Sequence, residues 1–463
     1  MAKNTQQPSP TQLVQGLGLL DATTLIMGSM IGSGVFIVAA DISRQVGSPG
    51  VMMMTWVVTA LMCMAGALSY GELAASMPHA GGQYVYLREA FGPLSGFLYG
   101  WTLVSVIKTG TIAAVGVAFA KFANVFFPWI SPTNELLPYL STQRLVAICL
   151  ILLLTWVNTR GIRTGAMVQN VFTFAKTTAL LGLIFAAFTV GRNPQAITAN
   201  FTNFWGNAGW NFETFRLAGV AMVGSLFSAD SWNNVTFTAG ETRNPKRNLP
   251  LSLFIGVGAV SLLYLACNYG YLLVLTFDGI KNAPQDRVAT AAASAIFGEA
   301  GVSFMAAAIM ISTAGCVNGL IMSCARVLYA MANDNLFFST ASQLDSKTHA
   351  PVNALWMQCA WACALTLSGS YGDLLDYVIF ANLLFYILTI SAVMVLRHTQ
   401  PDLERPYKTF GYPILPLFYI ACASFIEVML LIYKPNYTWP GLGLVLLGIP
   451  IYYLWKRGQN AIA

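Results

Sequence analysis

Four ionisable residues stand in otherwise apolar runs: Lys108, Lys176, Asp230 and Glu427. A charge at mid-bilayer costs about 2.5–3.5 kcal/mol on insertion scales, so each needs a partner or a role. Two polar interruptions accompany them. Gly32, Ser33 and Gly34 fall in the middle of LIMGSMIGSGVFI; Ser228, Asp230, Ser231, Asn233 and Asn234 fall in LFSADSWNNVTF. Glycine costs a helix about 1 kcal/mol relative to alanine. One reading of the first interruption is close helix packing through the pair Gly28 and Gly32. The other is an unwound stretch whose amide N–H groups face a small carboxylate at a helix N-terminus. The second interruption favours unwinding, because broken helices at corresponding positions of two five-helix halves mark an inverted-repeat membrane protein.

Each charge keeps two readings. Lys176 lies about ten residues into its helix, roughly 15 Å from the inner end, which is deep for snorkelling along its stem. Asp230 bonds to local N–H groups or a basic residue of the protein, or else presents an anionic contact to a cationic ligand group. Lys108 snorkels or pairs nearer the outer side, or is the counter-charge of Asp230. Glu427 is expected to pair with a neighbouring helix or subunit. Glu72 and Glu241, at cytoplasmic span ends near Arg88, Arg243 and Arg247, form gate salt bridges or, as the default reading, solvated surface pairs.

Other chemistry is thinly represented. The eight cysteines all lie in apolar runs and read as packing residues, not as a disulfide framework. His79, His349 and His398 are far apart, so no metal site is expected. There is no His/Glu zinc spacing and no nucleophile–base pair, hence no catalytic residue and no cofactor. The net charge of +6 comes without a run of five like charges, which argues against nucleic acid and for basic loops at a membrane.

The elements that must carry these residues follow from composition. Of 463 residues, 56% are hydrophobic and only 9% charged, against about 25% charged in soluble proteins. Mean hydropathy is +0.62. Too few charges remain to clothe a soluble surface, so the body faces lipid and its backbone is paired in helices of roughly 20 apolar residues. Twelve spans are expected, at about 17–44, 50–76, 92–126, 143–159, 166–190, 215–240, 251–276, 300–331, 352–369, 373–396, 413–433 and 438–455. The polar segment 191–214 reads as an external loop. Fourteen Lys and Arg fall on the side of the N-terminus and eight on the other, which places both termini in the cytoplasm. The opening stretch lacks an apolar h-region and is not read as a signal peptide.

Several short motifs then converge: Ile31-Gly-Ser-Gly-Val-Phe36, Tyr70-Gly-Glu-Leu73, Gly81-Gly-Gln-Tyr84, Gly240-Glu-Thr-Arg-Asn-Pro-Lys-Arg-Asn-Leu-Pro250, and Asn318-Gly319 followed by Ser323 to Arg326. Together they resemble the amino acid–polyamine–organocation superfamily, specifically its L-type amino acid transporters. The resemblance implies an all-α LeuT-like fold of 5+5 inverted repeats plus two helices. It divides the chain into a tail at 1–15, repeats at 16–190 and 191–396, a cytoplasmic loop at 397–412, two further spans at 413–456 and a tail at 457–463. It implies alternating access in a cell membrane, with an amino acid as substrate.

Site residues follow from the same resemblance. Ile31, Gly32, Ser33, Gly34, Phe227, Ser228, Asp230 and Ser231 are expected to bind substrate, with Phe227 as an aromatic gate. Lys176, with Ser312 beside it, is expected to put its ammonium where sodium-coupled relatives hold sodium, which implies sodium-independent transport by exchange; proton symport of an amino acid, an amine or a polyamine is the alternative. Phe227-Ser-Ala-Asp-Ser-Trp-Asn233 carries Asp where many members carry Gly. That departure is similar to the family's cystine and cationic amino acid exchanger and implies dibasic substrates, alone or with small neutral ones. Members with a disulfide-linked heavy subunit carry a cysteine in the loop after span 3. Phe127 to Gln143 has none, which implies a stand-alone, bacterial-type member. The rivals from other classes are a channel and a non-transporting receptor.

Overall fold

The computed structural model describes residues 13–206, 209–368 and 371–460. The expected tail at 1–15 lies mostly outside them, as do the last three residues of the tail at 457–463. Span 1 is two helices, Leu19–Met30 and Gly34–Val46. Span 2 is Pro49–Ser76, and span 3 runs over Pro93–Ala123 with a π-helical turn at Leu103–Ile107. Spans 4 and 5 are Thr142–Thr159 and Ile162–Phe188. Span 6 is Phe212–Ser228 followed, after a break, by the single turn Asn234–Phe237. Spans 7 to 12 are Pro245–Val274, Glu299–Asn333, Val352–Ser368, Tyr371–Thr399, Ile414–Tyr433 and Pro435–Asn460.

Ten of these are long and apolar enough to cross a bilayer unaided. Spans 6 and 9 are shorter, at 17 residues each; span 6 is short because its helix stops at the polar run it carries. The fold is the LeuT-like one. The first half of span 1 packs on spans 5, 7 and 8, its second half on the first half of span 6, and span 3 on span 8. Span 12 is the least buried of the long helices. Large apolar side chains such as Leu262 and Phe185 point outward, as a hydrocarbon surround requires.

The segment 191–214, expected to be a plain loop, contains the helix Pro194–Phe201. Asn193 caps it by accepting from Gln195 and Ala196 N–H, and Pro194 opens it. Eight residues are too few for an apolar period to show. A further short helix, Gln83–Phe91, lies between spans 2 and 3.

Candidate functional site

Span 1 loses its helix at Ile31, Gly32 and Ser33. Ile31 N–H still reaches Met27 O at 2.9 Å, but Gly32 N–H turns back to Met30 O at 2.8 Å. The carbonyls released at this helix end converge on two side chains. Lys176 Nζ donates to Gly28 O and Ile31 O, both at 2.6 Å, and to Ser312 O at 3.2 Å. All three ammonium protons are thereby used, in a side chain 1% exposed. Ser312 Oγ lies 2.9 Å from Ile31 O and 3.0 Å from Gly32 O, so it points across to span 1 instead of back into its own helix. The arrangement is a cage of oxygen dipoles at a helix C-terminus around one fixed cation.

Span 6 breaks from Ala229 to Asn233, with Ser231 at φ 71°. That left-handed residue re-aims the chain between Ser228 and Asn234. Asp230 sits at the turn, 6% exposed. Tyr386 OH donates to Oδ1 at 2.6 Å; Asn382 Nδ2 and Ser231 Oγ donate to Oδ2, each at 3.1 Å. Lys108 Nζ lies 3.5 Å from Oδ2 and 3.1 Å from Ser231 Oγ. The π turn immediately before Lys108 widens span 3 at this level. Of the two readings of each residue, the geometry pairs Lys108 with Asp230, and the local charge sums to zero.

The two breaks touch. A Cβ added to Gly34 would fall within 2.8 Å of Ser228 Cα, so the glycine is required there by close backbone approach. Tyr264 OH lies 2.9 Å from Met30 O and 3.0 Å from Ser228 O; one hydroxyl spans both. Between the breaks, Gly32, Ser33, Gly34, Phe227, Ser228 and Asp230 line a cavity of about 10 Å³. That is room for about one water, so anything larger requires the ring to widen. Ile31 contributes its carbonyl to the cage and its buried side chain to the core. Phe227 is 8% exposed.

Both ends of this centre are closed. On the face that carries residue 17, Glu241 and Arg326 form a two-bond ion pair at 2.7 and 3.1 Å, each 1% exposed. Leu17 N–H reaches Glu241 O, and Arg243 N–H reaches Leu17 O, strapping the start of span 1 to the end of span 6. Glu72 holds Arg397 at 2.8 and 2.6 Å and accepts from Thr409 N–H. These carboxylates are buried, not solvated, and their partners come from span 8, span 10 and the segment after span 10, where Arg405 Nε lies 3.4 Å from Glu72 Oε1, rather than from Arg88, Arg243 or Arg247. Arg88 instead binds Asp334. On the opposite face Arg44 meets Asp286 at 2.8 Å, and Lys121 Nζ reaches Gln285 O at 3.1 Å.

The family profile described as amino acid permease matches residues 17–449. The chain belongs to this family. The permease is 31% identical over 458 residues to large neutral amino acids transporter small subunit 2 of Mus musculus, covering 97% of this chain and 82% of that protein. It is 29% identical to Asc-type amino acid transporter 1 of Mus musculus, covering 97% and 83%. It is 30% identical to b(0,+)-type amino acid transporter 1 of Mus musculus, covering 96% and 88%. The permease is therefore an L-type member of the amino acid–polyamine–organocation superfamily, a multi-pass membrane protein that transports amino acids, and not an enzyme.

Three residues of the permease's centre had no signal in sequence: Tyr264, Asn382 and Tyr386. Each is one polar group on an otherwise apolar helix, and its partners lie 36 to 234 positions away. Glu427 is 7% exposed, and its Oε1 has no partner among the described residues; the pairing expected for it is not formed by that oxygen.

Proposed function

We propose that the permease carries small neutral L-amino acids by sodium-independent exchange through alternating access. The observation that carries this reading is the pair of facing breaks at Ile31–Ser33 and Ala229–Asn233, tied by Tyr264. In the proposed bound form the substrate carboxylate takes N–H groups at the start of the helix Gly34–Val46, around Ser33 and Gly34. Its amine takes carbonyls released in spans 1 and 6. Phe227 and Ser228 cover the zwitterion, and Ser231 flanks it.

Two features support the finer assignment. The Lys176 ammonium supplies the positive charge that the carbonyl cage needs, so sodium has no oxygen set left to claim. The Lys108–Asp230 pair leaves no free negative charge to select a cationic side chain, which favours neutral substrates over dibasic ones. In the proposed exchange no ion drives the cycle, and the loaded carrier is the form that crosses, stabilised by the substrate's contacts with both breaks. Both termini are assigned to the cytoplasm by the distribution of Lys and Arg, and a stand-alone chain by the cysteine-free segment 127–143.

A second reading, proton-coupled symport, is favoured by one observation: the buried Glu427 carboxyl with its unpartnered Oε1. Counterflow in proteoliposomes decides. Alanine-loaded vesicles should take up labelled alanine or serine at equal rates with and without sodium and with and without a pH gradient. Uptake into unloaded vesicles that follows the pH gradient would replace exchange by symport.

A further inference from the structure

Apart from the central site, the permease holds a second and much larger cavity of about 540 Å³, at the level of the face that carries residue 17. Its size falls in the roughly 300–1,000 Å³ range of small-molecule sites. Span 3 supplies Phe97 and Trp101 to one wall, span 9 supplies Met357 and Trp361 to another, and span 12 supplies Ile451 and Trp455 to a third. Phe337 and Phe338, just past span 8, floor its end.

The polar atoms of this lining are already spent. Trp101 Nε1 donates to Leu444 O at 3.1 Å, Trp361 Nε1 to Ser105 O at 2.9 Å, and Trp455 Nε1 to Asn335 O at 3.0 Å. Ser105 Oγ donates to Trp101 O at 2.6 Å. The indoles thus turn their N–H edges into the protein and leave ring faces and alkyl groups to whatever enters. A polar or charged ligand would find no partner and pay its desolvation unreturned. A flexible hydrocarbon loses nothing.

One end of the groove changes character. Span 12 continues from Trp455 into Lys456 and Arg457, both exposed. Lys456 Nζ lies 6.0 Å from the centroid of the Tyr452 ring, and that ring packs 5.4 Å from Phe97, a wall of the groove. Lys456 therefore stands beside the mouth of an apolar slot, with Arg457 next to it in the last turn of a membrane-spanning helix, where Lys and Arg side chains meet anionic headgroups. We propose that the groove is a binding site for one acyl chain of an anionic phospholipid, with Lys456 and Arg457 meeting its headgroup phosphate. The occupant lies against the π turn of span 3 that precedes Lys108.

The test uses the full-length permease in phosphatidylcholine vesicles doped with phosphatidylglycerol bearing a photoactivatable diazirine in mid-chain. Crosslinks mapped by mass spectrometry should concentrate, severalfold over other lipid-facing peptides, on residues 97–105, 357–361 and 451–455. Ala360→Phe, and independently Met357→Trp, should reduce this labelling to the level of the remaining surface while labelling elsewhere stays constant. Lys456→Gln and Arg457→Gln should each lower the preference for the phosphatidylglycerol probe over a phosphatidylcholine probe by about fivefold. Even labelling of all outward helices, unchanged by either filling variant, would reduce the groove to ordinary lipid contact and overturn the proposal. Native mass spectra showing dimers that Ala360→Phe dissociates would assign the groove to a second copy and overturn it equally.

Discussion

Lys108 Nζ lies 3.5 Å from Asp230 Oδ2, with both side chains all but sealed, at 0% and 5% exposed. Breaking such a pair by removing one member costs about 3–5 kcal/mol, because the other charge stays buried alone. Lys108→Met should therefore lower thermal stability sharply, and Lys108→Met with Asp230→Asn should recover most of the loss. In whatever Lys108→Met protein folds, the ratio of arginine to alanine uptake should rise, since Asp230 is then unneutralised. An unchanged ratio would separate Asp230 from substrate choice.

Lys176 holds together three carbonyls from two spans. Removing the donor leaves buried acceptors unpaired, at about 1–3 kcal/mol each. Lys176→Ala should reduce exchange by at least about tenfold, the factor that 1.4 kcal/mol represents. A sodium titration of the residual activity is the sharper readout: the vacated cage should now respond to sodium, whereas the parent should not.

Tyr264→Phe deletes one oxygen and keeps the ring against Trp56, whose centroid is 5.6 Å away. The expected cost is about 1–3 kcal/mol for the two carbonyls left behind. Alanine counterflow should slow while expression and gel-filtration profile stay normal. Full activity in Tyr264→Phe would mean that the two breaks are held in register by packing alone.

The Glu241–Arg326 pair and the Leu17 strap close one face. Glu241→Gln should weaken that closure. Cys316, which lines the central cavity and is 4% exposed, reports on it. With the other seven cysteines replaced by alanine, a membrane-impermeant thiol reagent added from that face should modify Cys316 several times faster in Glu241→Gln than in the parent. Equal rates would place the barrier elsewhere.

Much of this was readable in the chain, and the pattern of success is physical. The breaks announced themselves because Gly32–Gly34 and Ser228–Asn234 violate the apolar rule of their surroundings, a local property. Lys108, Lys176 and Asp230 stood out for the same reason, since a charge in hydrocarbon is costly enough to require an explanation. What remained hidden was pairing. Asp230 had two readings until Lys108, 122 positions away, was seen beside it. Glu241 has two arginines nearby in sequence, Arg243 and Arg247, yet its partner is Arg326 of span 8, chosen by helix packing that no local period encodes. Tyr264 and Tyr386 read as ordinary membrane tyrosines, because an aromatic with a hydroxyl tip fits equally well in a core, at an interface or in a site.

The Lys176 ammonium has one more implication. A sodium ion in the same cage would enter and leave with each turnover and carry its charge across the electric field of the membrane, where about 2.3 kcal/mol per 100 mV acts on it. An ammonium tethered to span 5 cannot make that journey. A zwitterion moved past it shifts no net charge, so voltage does no work on the proposed cycle. Such a carrier levels one amino acid gradient against another and concentrates nothing at the expense of the membrane potential.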